Sequence, residues 1–123
     1  MYNVVFYETA SGSSDVRDFL EELRARKKTD KSARIQYNQI ALCIQLLRDN
    51  GTQLPVDIAK FIDDGIWELR PGNNRVFYFY YKDNTYVLLH HFRKRTQKTP
   101  KRELDKAKAE RDDFLSRKEN TAK

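Results

Sequence analysis

Three short strand-like runs joined by tight turns fill the stretch from Gly65 to Pro100, and they constrain the fold more than any other part of the chain. Residues 66–70 and 75–81 are separated by Pro-Gly-Asn-Asn, and the third run, 85–93, follows Lys-Asp-Asn. Both linkers are rich in residues that form tight turns. Simple hairpins at both turns would pair the three runs antiparallel. We therefore predict a three-stranded antiparallel meander within residues 65–93.

The other segments predict one further strand and three helices around this meander. The N-terminal run of β-branched and aromatic residues is typical of a strand. Two segments with apolar residues at helical spacing predict an antiparallel pair of helices that covers the sheet. Pro100 suits the first position of a last helix. The predicted limits are 1–8 for the strand, 13–50 for the helical hairpin, 52–64 for a loop, 100–117 for the C-terminal helix and 118–123 for a frayed tail.

The length and composition of the chain favour one folded domain. With 123 residues, the chain can bury a single core, and an apolar fraction of 39% argues against disorder. The order of the predicted elements is that of an α+β fold. We therefore predict one α+β domain over residues 1–123, built around one small sheet.

The hairpin register predicts which side chains of the meander meet. Arg70 lies opposite Arg75, and two opposed cations repel. They are therefore either bonded to a carboxylate such as Glu68 or held for an anionic ligand, and the pattern favours neither. His91 is expected on the face opposite to that of its neighbour. The predicted residues of one shared face are Arg75, Phe77, Phe79, His90 and Phe92.

Positive charge is concentrated after the last predicted strand. The chain has 24 Lys and Arg against 18 Asp and Glu, a net charge of +6. Eleven cations and five anions lie between residues 93 and 118, so this segment accounts for the whole net charge. A local excess of this kind predicts a surface that binds phosphates. For residues 106–118, a solvated helix face is the favoured explanation.

Sequence motifs for cofactors, metals and membranes are missing. The chain has no glycine-rich phosphate loop, no GxSxG and no HExxH. Its two histidines are adjacent on a predicted strand and so face opposite sides. The one cysteine, Cys43, is interpreted as a core residue. We therefore expect no metal, no cofactor and no membrane contact. The N-terminus does not resemble a secretion signal, and the expected location is the cytoplasm.

Cleavage of RNA is a reaction that the remaining residue types can support. RNA carries its own nucleophile, the 2′-hydroxyl, so a protein needs to align it, stabilise charge on the phosphorane and move protons. Arginine and lysine suit the second task. A lysine among other cations can have its pKa lowered enough to act as a base. His90 is the other candidate for proton transfer, although an ordinary role in the sheet is slightly favoured for it.

Two sequence strings resemble the RelE/HigB-type toxins, and in particular the phage-derived HigB-like branch of the RelE/ParE superfamily. The first is GIWELRPGNNRVFYFYY and the second VLLHHFRKRTQKTPKRELDKAKAE. They cover about half of the chain, and the predicted order of strand, two helices, sheet and helix covers nearly all of it. The resemblance implies a RelE-like fold.

The resemblance also implies a function. Such a protein is the toxin of a type II toxin–antitoxin system, a ribosome-dependent, metal-independent endoribonuclease that cuts translated mRNA in the A site. Its expected partners are the ribosome, mRNA and a HigA-like helix-turn-helix antitoxin, with operator DNA bound only through the antitoxin complex. Two alternatives are a ParE-like inhibitor of gyrase and a plain nucleic-acid-binding module. The basic motif after the last strand favours the nuclease.

Residue roles follow by position in the matching motifs. Arg75 matches the strand arginine that such toxins use on the scissile phosphate, and Lys94, or else Arg95, matches the basic residue after the last strand. The sequence leaves the general base open between Lys94 and His90, because the last helix lacks a tyrosine and the loop 52–64 lacks a histidine. The predicted catalytic residues are Arg75, Lys94 and His90. The predicted RNA- and phosphate-binding residues are Arg70, Arg93, Arg95, Lys98 and Lys60.

Overall fold

A five-stranded sheet with helices on both faces forms the protein in the computed structural model, which describes residues 1–122 and side chains as far as residue 119. The α+β class predicted from the sequence is confirmed. The elements in chain order are β1 Asn3–Phe6, α1 Asp15–Arg26, α2 Lys31–Asn50, β2 Ala59–Asp63, β3 Ile66–Leu69, β4 Asn74–Tyr80, β5 Thr85–Arg93 and α3 Lys101–Ala122.

The strand order in the sheet is β1-β5-β4-β3-β2. β1 pairs parallel with β5, and the other pairs are antiparallel. Strand β2 corrects the prediction of a loop over 52–64, because Lys60 pairs with Glu68 and Phe61 with Trp67 of β3. The antiparallel part therefore has four strands rather than three. β2 lies at the edge of the sheet with Lys60 and Phe61 exposed, so it lacks the apolar alternation of a half-buried strand.

Helices α1 and α2 form the predicted hairpin and cover one face of the sheet. The side chain of Ser14 accepts the backbone N–H of Arg17 at the start of α1, and the side chain of Asp30 accepts that of Ala33 at the start of α2. These are the N-caps that short polar residues provide. The apolar side of the hairpin packs on the sheet in one continuous core.

Helix α3 covers the opposite face. Its Ala107 and Phe114 pack against a second buried cluster that includes Phe77 and Phe79 of β4. The helix continues past the predicted limit at residue 117 to Ala122, so the predicted tail over 118–123 is helical as far as residue 122. Residue 123 lies outside the described residues.

The predicted faces of the meander are confirmed, with one irregularity. Val76 pairs with His91 and Tyr78 with Leu88, so two residues of β5 stand opposite the one intervening residue of β4. This bulge turns both Leu89 and His90 toward α3. His91 faces the other way, where its ring stacks on Phe19 of α1 at a centroid distance of 3.8 Å.

Candidate phosphate-binding cleft

Five cations surround one carboxylate in a small cleft at the end of the sheet, which we call the basic cleft. Its cations come from β2, from the turn after β3, from the start of β4 and from the segment after β5. Strand pairing explains this convergence, because Lys60 pairs with Glu68 and Arg75 with Phe92. The cleft is lined by Lys60, Glu68, Arg70, Arg75, Phe92, Lys94, Gln97, Lys98 and Thr99.

Arg75 is held firmly in the basic cleft. Its side chain is 7% exposed, and its Nη1 donates to the backbone oxygens of Gly72 and Asn74, at 2.8 Å each. Its Nε lies 3.8 Å from Oε2 of Glu68 and, among the residues the structure describes, has no hydrogen-bond partner. Burial lowers the pKa of Arg75, while Glu68 raises it. The guanidinium is thus preorganised, and its hydrogen bonds to described residues come from Nη1 alone.

Glu68 is the one carboxylate among the described side chains that line the basic cleft. Only 4% of it is exposed, and its Oε2 also lies 3.6 Å from Nε of Arg70. Burial raises the pKa of Glu68, although the charges of Arg75, Arg70 and two nearby lysines partly offset this. The first possibility that the sequence left open is therefore observed, because the two arginines share Glu68. The cleft also has an excess of positive charge, and its use for an anionic ligand stays a prediction.

The three lysines of the basic cleft carry its uncompensated charge. Within the described part of the chain, no carboxylate lies within 4.0 Å of the ammonium groups of Lys60, Lys94 or Lys98. Lys60 and Lys98 are exposed, whereas Lys94 is partly buried. The space between these side chains is about 20 Å³, which is room for a single water molecule. With the side chains in these positions, the space is too small for a phosphate group.

Three consecutive cations at the end of β5 and just after it lie in three different places. Lys94 lines the basic cleft. Arg93 lies on the α2 side, where its Nη1 donates to the side-chain oxygen of Gln36 at 3.4 Å. Arg95 lies on the α3 side, in a separate depression beside Arg102. Of the predicted RNA-binding residues, the structure thus brings Lys60, Arg70 and Lys98 together in the basic cleft and places Arg93 and Arg95 outside it.

His90 is not in the basic cleft, which argues against the catalytic role considered for it. It is 1% exposed, and each ring nitrogen contacts a carboxylate of α3: Nδ1 lies 2.5 Å from Glu110 and Nε2 3.1 Å from Glu103. Its ring also stands edge-on to Phe77. His90 therefore links β5 to α3, and both of its nitrogens are already used.

The other histidine ties the sheet to α1. Nδ1 of His91 lies 2.5 Å from Oδ1 of Asp15, and the same oxygen accepts the backbone N–H of His91 at 2.9 Å. Partial burial raises the pKa of Asp15, but the hydrogen bonds and the charge of His91 outweigh burial and leave that pKa below its ordinary value. Asp15 therefore links α1 to β5 through His91.

Residues 1–122 contain neither a candidate metal site nor a candidate membrane-spanning helix. In residues 1–122, no group of three or more His, Cys, Asp or Glu side chains is placed to hold a metal ion. None of the helices over the same residues combines the length and the apolar character needed to span a membrane.

Comparison with known proteins assigns the chain to a family. Residues 30–112 match the family described as Phage derived protein Gp49-like (DUF891). The chain belongs to this family. The match confirms the RelE-type resemblance predicted from the sequence, whereas membership of the HigB-like branch stays a prediction. The matched segment of this Gp49-like protein contains all the residues that line the basic cleft and the whole of α2.

The chain is also similar to solved structures. One is the YoeB-YefM complex from Staphylococcus aureus, at 14% identity and a TM-score of 0.48, which covers 78% of this chain and 99% of that chain. Another is the archaeal RelE-RelB complex from Pyrococcus horikoshii OT3, at 18% identity and a TM-score of 0.48, which covers 75% and 93%. No curated protein sequence matches the chain. No residue role is transferred at such identities.

Sequence reasoning named Glu68 as a partner for the arginines but gave it no place among the site residues. The available signal was its position between Trp67 and Leu69, since a carboxylate inside an apolar strand needs a partner for its charge. The pairing with Lys60 was not predictable, because β2 was interpreted as a loop.

Proposed function

We propose that this Gp49-like protein is the toxin of a type II toxin–antitoxin system and acts as a ribosome-dependent endoribonuclease on translated mRNA. The observation that carries the proposal is the convergence of Arg75 and Lys94, nineteen residues apart in the sequence, on one cleft with net positive charge. Positive charge in a partly desolvated site stabilises a phosphorane more strongly than it does in water.

The proposed reaction uses the 2′-hydroxyl of RNA and needs no metal. The 2′-oxygen forms a bond to phosphorus, its proton passes to a base, and the bond from phosphorus to the 5′-oxygen breaks. The 5′-oxygen takes a proton from an acid, so the products are a 2′,3′-cyclic phosphate and a 5′-hydroxyl. Such a reaction needs one acceptor and one donor of protons in addition to the groups that stabilise charge.

Glu68 is the proposed proton acceptor. An ammonium group donates hydrogen bonds but accepts none, so a charged Lys94 serves as donor and as counter-charge. Glu68 lies in the cleft, is a carboxylate and has a raised pKa, which makes it a stronger base than an exposed glutamate. His90 is not proposed as the proton acceptor, because both of its ring nitrogens contact carboxylates of α3.

Arg75 is proposed to stabilise charge on the phosphorane, supported by Arg70. The bonds from Arg75 to the backbone of the β3–β4 turn hold its guanidinium at the wall of the cleft, so its charge is already in position beside an entering phosphate. Lys60 and Lys98 are proposed to hold the neighbouring phosphates of the RNA. An antitoxin with a helix-turn-helix domain is the proposed neutralising partner, operator DNA is bound through that complex, and the cytoplasm is the proposed location.

The test is cleavage by the purified protein in a reconstituted translation reaction. Primer extension maps new 5′ ends on an mRNA with ribosomes stalled at a known codon. The proposal predicts cuts inside the A-site codon, none on the same RNA without ribosomes, and none with Arg75→Ala. Intact mRNA together with loss of gyrase supercoiling activity in a parallel assay would instead support the ParE-like alternative.

A further inference from the structure

One wall of the basic cleft is a short strap of chain, residues 95–99, which joins β5 to α3. The strap residues that line the cleft are Gln97, Lys98 and Thr99. Just before the strap, the backbone N–H of Lys94 donates to the Asn73 oxygen of the β3–β4 turn at 2.8 Å. Among the described residues, no hydrogen bond or ion pair ties residues 95–99 themselves to the sheet. The position of the strap therefore depends on what holds its two ends.

The opposite wall of the basic cleft is fixed to the sheet. Arg75 is bonded to the β3–β4 turn, and Nη1 of Arg70 donates to the backbone oxygen of Val56 at 3.1 Å. The space between the two walls is about 20 Å³, so the cleft is closed to a phosphate group. The strap is the wall that can move away without breaking bonds of the sheet.

The far end of the strap is held by the first turn of α3. Glu103 lies in that turn, and its Oε1 is 3.1 Å from Nε2 of His90 on β5. The side chain of Glu103 is 20% exposed and that of His90 is 1% exposed, so the contact is largely shielded from water. The backbone N–H groups of Glu103 and Leu104 donate to the oxygen of Pro100, at the end of the strap. The contact of Glu103 with His90 therefore sets where the strap lies.

The remainder of α3 is held by contacts beyond its first turn. Glu110 lies 2.5 Å from the other ring nitrogen of His90. The buried apolar residues in the described part of the helix are Ala107 and Phe114. Loss of the Glu103 contact would therefore free the first turn and the strap, while the rest of the helix keeps its place on the sheet.

We propose that the strap is autoinhibitory: the contact of Glu103 with His90 holds it across the basic cleft, and loss of that contact opens the cleft to a phosphate of RNA. This inference rests on the proposed ribonuclease function and adds a control on the same site. A closed strap lowers the affinity of the free protein for RNA, because apparent affinity falls with the fraction of molecules in the open state. Such a cleft suits a nuclease that spares RNA outside the ribosome.

The test compares Glu103→Ala with Asp105→Ala. Both variants remove one negative charge from the same part of α3, but the side chain of Asp105 is 54% exposed and pairs with Lys101 of its own helix, at 3.0 Å. The probe is a fluorescein-labelled trideoxythymidylate, which carries backbone phosphates but no 2′-hydroxyl and so is not cut. Its affinity is measured by fluorescence anisotropy, with and without the additional change Lys94→Ala.

We expect Glu103→Ala to bind the probe about fivefold more tightly than Asp105→Ala, the scale of one partly exposed charged hydrogen bond. Glu103→Gln keeps an oxygen for His90 but no charge, so it should give a smaller gain. Adding Lys94→Ala should remove the gain, since Lys94 lines the cleft. Equal affinities of Glu103→Ala and Asp105→Ala, or a gain that survives Lys94→Ala, would overturn the inference.

Hydrogen exchange measures release of the first turn and separates it from a general loss of structure. After correction for intrinsic rates, the backbone N–H groups of residues 103 and 104 should exchange about fivefold faster in Glu103→Ala than in Asp105→Ala. Those of residues 110–118 should exchange alike in both variants. Unchanged exchange at residues 103 and 104, or faster exchange along the whole helix, would contradict the proposed release.

Both readouts are independent of cleavage, so they separate this inference from the proposed function. If the wild-type protein cuts no mRNA on ribosomes but Glu103→Ala gains affinity for the probe, the proposed function fails and the autoinhibition stands. If the wild-type protein cuts mRNA but Glu103→Ala and Asp105→Ala bind the probe equally, the autoinhibition alone is refuted.

Discussion

Replacement of Arg75 by alanine tests the basic cleft most fully, because the structure predicts separate effects on activity and stability. For activity, the change removes a preorganised donor aimed into the cleft. Loss of one such donor typically costs about 100- to 1,000-fold in rate, or about 2.7–4 kcal/mol. We therefore expect single-turnover cleavage on stalled ribosomes to fall by at least about 100-fold.

For stability, the same change removes two hydrogen bonds to the turn and one counter-charge of a buried carboxylate. Arg75 bonds to Gly72 and Asn74, and after its removal Glu68 keeps only Arg70 within ion-pair distance among the described residues. The expected loss is about 2–5 kcal/mol, which lowers Tm by roughly 10–20 °C in a domain of this size. Activity is therefore measured well below the Tm of the variant.

A double variant separates the two effects. Adding Glu68→Gln to Arg75→Ala removes the poorly compensated buried charge, so the double variant should regain part of the lost stability without regaining activity. Arg75→Lys keeps a cation but not the planar fork, and it should remain well below the wild-type rate. A folded Arg75→Ala protein that cleaves at the wild-type rate would refute the proposed role. A double variant less stable than Arg75→Ala would refute the account of Glu68.

Three further predictions concern pH and backbone geometry. The proposed base, Glu68, has a raised pKa, so the cleavage rate should rise with pH through that pKa, and Glu68→Gln should remove this rise and lower the plateau by about 100-fold in a pH–rate series. Asp15→Asn should destabilise the protein at pH 7 by less than about 1 kcal/mol. A carboxylate with a lowered pKa stabilises above its ordinary pKa and loses this effect as pH falls through its lower pKa in the folded state, so the difference should shrink in melting curves taken below about pH 4. Gly72→Ala should cost about 1–2 kcal/mol in urea unfolding, because φ is +61° there and a β-carbon would overlap the Gln39 side chain.

Local signals in the sequence were sufficient for most of the fold. The turn residues after Arg70 and before Thr85 mark both hairpins, and short polar residues stand at the starts of α1 and α2, where they cap the helices. The pairing of β3 with β4 placed Arg70 beside Arg75, as the register predicts. These features depend on neighbours along the chain, so a sequence pattern can show them.

The parts that escaped prediction depend on contacts between distant segments. β2 is an edge strand in which the consecutive residues Lys60 and Phe61 are both exposed, so no alternation marks it and only its pairing with β3 reveals it. His90 could not be assigned until α3 was placed, although Glu103 and Glu110 are seven residues apart and so share a helix face. The separation of Lys94 from Arg95 likewise depends on the backbone path after β5.

That separation gives the most direct test of the central claim, that Arg75 and Lys94 act on one phosphate in the basic cleft. Lys94 and Arg95 are adjacent in the sequence and have the same charge, but only Lys94 lines the cleft. Single-turnover cleavage rates on stalled ribosomes are measured for Lys94→Ala and Arg95→Ala. We expect a loss of at least about 100-fold for Lys94→Ala and less than about tenfold for Arg95→Ala. Equal losses, or a larger loss for Arg95→Ala, would contradict the claim.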